Sequence, residues 1–262
     1  MTHRILIVTA VAAEADSVAA GLASYPGTDT VLPLPGGHTL RRHGTADVLV
    51  DVLAGGVGPA AAAAATATAL ASAQDHPYGL VVSAGIAGGF LPYAPVGTVV
   101  VSDALVAADL GAQTPTGYLS VEELGFGRSA HPVAKPLTDR IAGALPDAVT
   151  GPVLTVSTVT GTAARAAELA ARHPGAVAEA MEGFGVAEAA AAYGVPVVEV
   201  RAVSNAVGPR DRAAWRIGEA LGALRGAFQQ LSRTVFVDSE FPSCPAPAPA
   251  PAPAPTSAPT PS

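Results

Sequence analysis

Two carboxylates, an amide and a small group of arginines are the side chains in this 262-residue sequence whose placement suggests chemistry. Arg201, Ser204, Asn205, Arg210 and Asp211 fall within eleven residues, directly after the β-branched run Val195, Val197, Val198 and Val200. A buried strand that breaks into a polar turn places such a set at the carboxyl edge of a sheet, where α/β proteins bind ligands. Glu14 holds a comparable place near the amino terminus, just past the apolar run at 5–8 and in the first turn of the next helix. Glu182 is flanked by Met181, Phe184 and Val186. Facing inward, it needs a donor or a ligand, because a lone buried carboxylate is costly; the alternative is a solvated helix glutamate.

Other chemistries lack their residues. Cys244 is the only cysteine, which leaves no intramolecular disulfide and no Cys-based metal site, and the six histidines show no HxxxH spacing. A net charge of −7 with no Lys/Arg cluster argues against nucleic acid or an anionic membrane surface as partner. No window approaches the roughly 20 apolar residues of a membrane span. Glu14 and Asp16 come so soon after the first apolar run that strand, turn and helix explain it better than a signal peptide, and a cytoplasmic location is the expectation.

The elements that must position these groups can be read from periodicity. Half the residues are hydrophobic and 13% are charged, enough for a substantial core in one large α/β domain or two small ones. A strand at 5–8 leads to a helix at about 12–22, and 30–43 with 47–53 read as a β-hairpin or two strands. The glycines at 56 and 58 precede a long Ala/Thr helix to about 74. As a dinucleotide site this GxG is weak, lacking a third glycine and an acidic partner. A strand over 79–89 runs into Gly85, Gly88 and Gly89, which are predicted to take positive φ and to bare the backbone to a ligand. Then come a strand at 96–103, an irregular excursion to about 126, a helix at 135–145, a strand at 152–157, a turn at 158–162 and a helix at 163–171. A helix is expected from 178 to 192, and another from 212 to 231 with Trp215, Leu221, Leu224 and Phe228 on one apolar face. After Phe241 the Pro-Ala repeats predict an extended, disordered tail, so the domain is placed at 1–240 and the tail at 241–262.

Six to seven strands alternating with helices predict a three-layer αβα sandwich around a mostly parallel or mixed sheet. The order of GVG at 56–58, SAGIAGG at 83–89, VGTVVVSD at 96–103, AMEG at 180–183 and VRAVSN at 200–205, after the strand that leads to Glu14, resembles the nucleoside phosphorylase superfamily. Within it the chain looks most like the methylthioadenosine/S-adenosylhomocysteine nucleosidases and, more narrowly, the futalosine hydrolases of an alternative menaquinone pathway. The resemblance covers about residues 4 to 232.

By that resemblance Glu14 matches a water-activating glutamate, and Met181 with Glu182 matches a Met-Glu pair whose carboxylate holds the ribose hydroxyls. Ile86, Ala87 and Gly88 match the segment against sugar and base. Thr158 and Thr162 bound the base-binding loop, in which Gly161 replaces a stacking aromatic. Trp215 falls beside the 5′ substituent. Asn205 stands where the nucleosidases carry the aspartate that protonates purine N7. An amide has no carboxyl proton to give, but its NH2 suits the N7 and O6 acceptors of hypoxanthine, with Asp211 as a second candidate proton source. The expected reaction is hydrolysis of futalosine to hypoxanthine and dehypoxanthine futalosine. Arg210 or Arg212 would pair with the substrate's distal carboxylate. The alternative is a purine nucleosidase or phosphorylase acting on inosine or methylthioadenosine-type nucleosides. Hydrolysis is favoured because neither 9–14 nor 83–89 contains an arginine for phosphate, and Glu14 would repel it. No metal or organic cofactor is implied, and the family's habit predicts a homodimer or larger assembly.

Overall fold

Ile5, Leu6, Ile7 and Val8 are all buried, as consecutive residues of a strand covered on both faces must be. In the computed structural model, which describes residues 3–23 and 27–237, they form the middle of β1 (His3–Thr9). The tail expected at 241–262 lies outside the described residues. The remaining elements are α1 (Ala12–Leu22), β2 (Thr28–Pro33), β3 (Thr39–Gly44), β4 (Val48–Ala54), α2 (Pro59–Ala71), β5 (Leu80–Gly89) and β6 (Val99–Ala107). They continue with β7 (Gly111–Thr114), β8 (Gly117–Ser120), β9 (Ala130–Pro132), α3 (Lys135–Gly143), β10 (Val149–Thr155) and α4 (Ala163–Arg172). The last are β11 (Ala178–Ala180), α5 (Gly183–Ala192), β12 (Val197–Ala206) and α6 (Ile217–Thr234).

The main sheet is mixed, in the order β11-β10-β6-β12-β5-β1-β4-β3-β2, with β9 on β6. The alternation of β1 sorts the layers. Ile5 and Ile7 pack with Val18 of α1 and with Leu224 and Phe228 of α6, whereas Leu6 and Val8 pack with Ala62 and Ala65 of α2 and Val186 of α5. The expected three-layer α/β architecture is therefore the observed one. β5 also pairs antiparallel with β11 through Gly88 and Gly89. That pairing closes β5, β12, β6, β10 and β11 into a ring, while β1 to β4 extend from β5 as an open sheet.

Three local expectations need correction. Gly85, Gly88 and Gly89 are not turn residues, because all three lie within β5 and none has positive φ. Their requirement is space: a Cβ on Gly85 would stand 2.5 Å from both Arg201 Nη1 and Glu14 Oε1, and one on Gly89 would stand 2.0 Å from the Ala94 carbonyl. The segment from 178 does not begin as a helix. Residues 178–180 pair with β10 and β5 as β11, and α5 starts only at Gly183. The last helix starts at Ile217, not at 212. Asp211 accepts the Ala213 N–H and folds 212–214 into a single 3-10 turn, which leaves Trp215 outside the helix. The excursion after Asp103 proves partly regular, since β6 runs on to Ala107 and β7 and β8 form a hairpin.

Candidate active site

The carboxyl ends of β1, β5 and β12 open on a cavity of about 250 Å³, bounded by β11 and the segment entering α5. Glu14 reaches it because α1 begins only two residues after β1. The side chain folds back over the strand end, where Oε2 accepts the N–H groups of Ala10 at 3.0 Å and Val11 at 3.2 Å. Oε1 accepts the N–H of Ile86 at 2.9 Å. These three bonds fix a carboxylate that is 4% exposed and leave one lone pair of Oε1 unused.

Glu182 is buried and sits at the start of α5. Its Oε1 accepts the N–H of Gly58 at 3.1 Å, and its Oε2 receives Arg201 Nη2 at 3.1 Å. Gly58 holds φ of +90°, a conformation L side chains rarely adopt, and so turns its N–H toward the carboxylate from the first residue before α2. The solvated-helix alternative for Glu182 is thereby set aside.

Arg201 is 1% exposed and lies in the middle of β12, not at its polar end where the sequence pattern groups it. Residues two apart on a strand share a face, so Glu199 meets it, with Nε to Glu199 Oε1 at 2.7 Å. Nη2 also donates to Ser83 Oγ and Nη1 to the Ile86 carbonyl. Burial works against the guanidinium charge, but Glu199, Glu182 and Glu14 outweigh it and hold the group well above its ordinary pKa. Burial in turn pushes the Glu199 carboxyl upward, with Arg201 opposing. One cation thus faces three carboxyl groups, and four of its donors already have partners.

Asn205 owes its direction to a bulge: β12 shifts register against β5 between Val203 and Asn205, which re-aims the side chains at the strand end. A carbonyl can only accept, so the amide end 3.0 Å from the Ala206 oxygen is Nδ2. Oδ1 then accepts the Ser204 hydroxyl at 2.8 Å. The second Nδ2 hydrogen is left for a ligand. Trp215 lines the same cavity, held there by the Arg216 N–H bonded to the Ser204 carbonyl at 2.8 Å.

The cavity therefore brings together Glu14, Ile86, Ala87, Gly88, Met181, Glu182, Asn205 and Trp215. It does not bring in Asp211, whose exposed carboxylate caps the 3-10 turn, so the structure gives it no contact with a bound base. Thr158 and Thr162 also stay outside. Thr162 caps α4 by accepting the Arg165 N–H, and Val159 and Thr160 are the loop residues that line the wall. Arg210 and Arg212 are exposed and flank Trp215, with guanidinium carbons 5.6 and 5.9 Å from its ring centroid. Sequence reasoning missed Glu179, a buried wall residue hydrogen-bonded by Thr160, because 178–192 reads as one helix. The signal was available in Val177 and Ala178 before it and the glycines at 183 and 185 after it, residue types that mark a strand and its end.

The profile of the phosphorylase superfamily matches residues 4–236. The futalosine hydrolase of Streptomyces coelicolor is 60% identical over 230 residues, covering 87% of this chain and 94% of that protein. The futalosine hydrolase of Acidothermus cellulolyticus is 50% identical over 236 residues, 88% of this chain and 91% of that one. Among solved structures, the futalosine hydrolase of Helicobacter pylori superposes with a TM-score of 0.75 at 16% identity, covering 89% and 98% of the two chains, a likeness of fold.

Proposed function

The chain belongs to the phosphorylase superfamily, and from that premise we infer that it is an N-glycosyl hydrolase converting futalosine and water to hypoxanthine and dehypoxanthine futalosine, a step in menaquinone biosynthesis. The observation that carries this reading is the 60% identity to a futalosine hydrolase across 94% of that protein's length. The cavity supports it in detail. As the C1′–N9 bond stretches toward an oxocarbenium-like ribosyl cation, Glu182 holds O2′ and O3′. Glu14 takes a proton from the incoming water through its unused lone pair, and the hydroxide bonds to C1′. Asn205 donates to the departing 6-oxopurine, whose negative charge is spread onto the lactam oxygen, and the released base takes its proton from solvent. The distal aryl carboxylate extends toward Trp215, with Arg210 and Arg212 beside it.

Water as the acceptor is supported by the charge around Arg201. The arginine missing from the two glycine-bearing segments is supplied by β12, but three carboxyl groups surround it and leave no net positive site for phosphate. We further place a second copy of the chain over the cavity mouth. Val11, Val57 and Val159 line the cavity yet are 43%, 56% and 47% exposed, an apolar rim suited to being covered. Among the described residues no helix is long and apolar enough to cross a membrane. A cytoplasmic setting for the reaction is supported by Cys244 being the lone cysteine.

Chromatography of futalosine incubated with the purified chain tests the assignment. Hypoxanthine should appear at a rate independent of added phosphate, and far faster than from inosine or than adenine from methylthioadenosine. Phosphate-dependent release, or equal turnover of inosine, would replace it with the phosphorylase or general nucleosidase reading.

A further inference from the structure

Six polar side chains line the cavity: Glu14, Thr160, Glu179, Glu182, Ser204 and Asn205. Under the hydrolase reading, on which the role of the other four depends, Glu14 and Glu182 serve water and ribose. Ser204 spends its single hydroxyl proton on Asn205 or the Ala87 carbonyl, and Thr160 spends its own on Glu179. For the polar edge of the base this leaves one donor, Asn205 Nδ2, and one acceptor group, Glu179.

The sheet fixes how those two stand. Gly88 pairs with Asn205 on one side and with Glu179 on the other. Residues directly opposite on neighbouring strands share a face, so the amide and the carboxylate project to the same side, about two strand spacings or roughly 9–10 Å apart at the backbone. Gly88 between them carries no side chain, and a Cβ there would come within 3.3 Å of Asn205 Nδ2. The gap is open to a flat ring. Glu179 is 4% exposed and rigidly held, with Oε1 accepting the Thr160 N–H at 2.8 Å and Oε2 the Thr160 hydroxyl. Two of its four lone-pair positions remain unused.

We propose that Glu179 is a specificity-determining residue that accepts the N1–H of the 6-oxopurine lactam while Asn205 donates to its O6/N7 edge. A 6-oxopurine presents acceptors at N7 and O6 and then a donor at N1. A 6-aminopurine presents a donor at its amino group and an acceptor at N1, so adenine would set N1 against the carboxylate with no proton between them. A buried acceptor left unpaired by the wrong base is the arrangement by which polar sites reject close analogues. Burial raises the Glu179 carboxyl against the opposing Thr160 bonds, and a lactam N–H restores a partner that water no longer supplies.

Calorimetric binding of free hypoxanthine, 1-methylhypoxanthine and adenine to the full chain tests this without turnover. The unsubstituted protein should prefer hypoxanthine over both others by roughly 10- to 100-fold. Glu179→Gln, whose amide can still bond Thr160 and can donate to adenine N1, should lose at least tenfold of that preference, and the loss in futalosine turnover should lie in KM more than in kcat. Where that variant does not fold, Thr160→Val reports through the loosened carboxylate, and the 1-methylhypoxanthine comparison needs no variant at all. Equal affinity for hypoxanthine and 1-methylhypoxanthine, or an unchanged base preference in Glu179→Gln, overturns the proposal. A chain that selects hypoxanthine but leaves futalosine intact would overturn the hydrolase reading alone.

Discussion

Three backbone donors converge on Glu14, and they make it both a positioned base and a structural tie. Glu14→Gln is therefore expected to lower kcat by about 10²- to 10⁴-fold, the range of a lost general base, while hypoxanthine affinity stays within a few-fold. It should also lower stability by about 1–3 kcal/mol, since an amide nitrogen cannot accept the bonds its oxygen took. Turnover, calorimetry and a thermal melt on one preparation separate the three effects. At the outer end of the substrate the contacts are exposed and correspondingly small. Arg210→Ala and Arg212→Ala should each raise futalosine KM about two- to fivefold and leave inosine turnover unchanged. An unaltered futalosine KM in both would remove them from recognition. Of the residues at this scale, those next to long apolar runs are legible from sequence: Glu14, Glu182 and Asn205 each end or interrupt one. Arg201 is misplaced because the alternation Glu199-Val200-Arg201 looks like a strand end when nothing indicates that its partners come from β5 and α5.

Packing between elements at this site is decided by missing side chains. Gly85 lets Arg201 and Glu14 approach across β5, and Gly185 lets α5 lie against the first turn of α2, where a Cβ would stand 2.0 Å from the Pro59 carbonyl. Gly85→Ala should reduce activity at least tenfold and lower stability by about 1–3 kcal/mol, as overpacking does. Gly143→Ala at the end of α3, with nothing within 4 Å, should instead raise stability by roughly 0.4–1 kcal/mol. Urea unfolding of the pair is the check, and equal shifts would mean that close approach is not what Gly85 provides. The long strands and helices are readable because they carry enough residues for a period to show. β7, β8, β9 and β11 are three or four residues long, too short for alternation, and their pairing is set largely by neighbours distant in sequence. The base-facing wall depends on β11, which is why Glu179 escapes notice.

Charge buried in separate parts of the sheet gives the whole molecule a pH range of its own. Burial alone would raise Asp51, but hydrogen bonds from Arg42, Tyr78 and Arg4 reverse this and hold its carboxyl below the usual value. Its contribution is present above the unfolded pKa near 4 and is lost as pH falls through the lower folded value. Glu179 and Glu199 are shifted upward, so the folded chain binds their protons more tightly than the unfolded one. Their contribution is present in acid and is lost as pH rises through the raised values. Unfolding free energies from about pH 3 to pH 7 should fall steeply on the acid side, and Asp51→Asn should flatten that limb while costing about 3–5 kcal/mol at neutral pH. A steep acid limb that survives the substitution would shift the cause to other carboxylates. β5 is common to the open sheet and to the strand ring, bonded along its length to β1, β12 and β11. Its amide protons should be among the slowest to exchange with deuterium, because no partial opening frees them. The reaction centre then has no way to soften ahead of the rest: on heating, turnover and native structure should vanish together at one temperature, with no warm, still-folded, inactive stage between them.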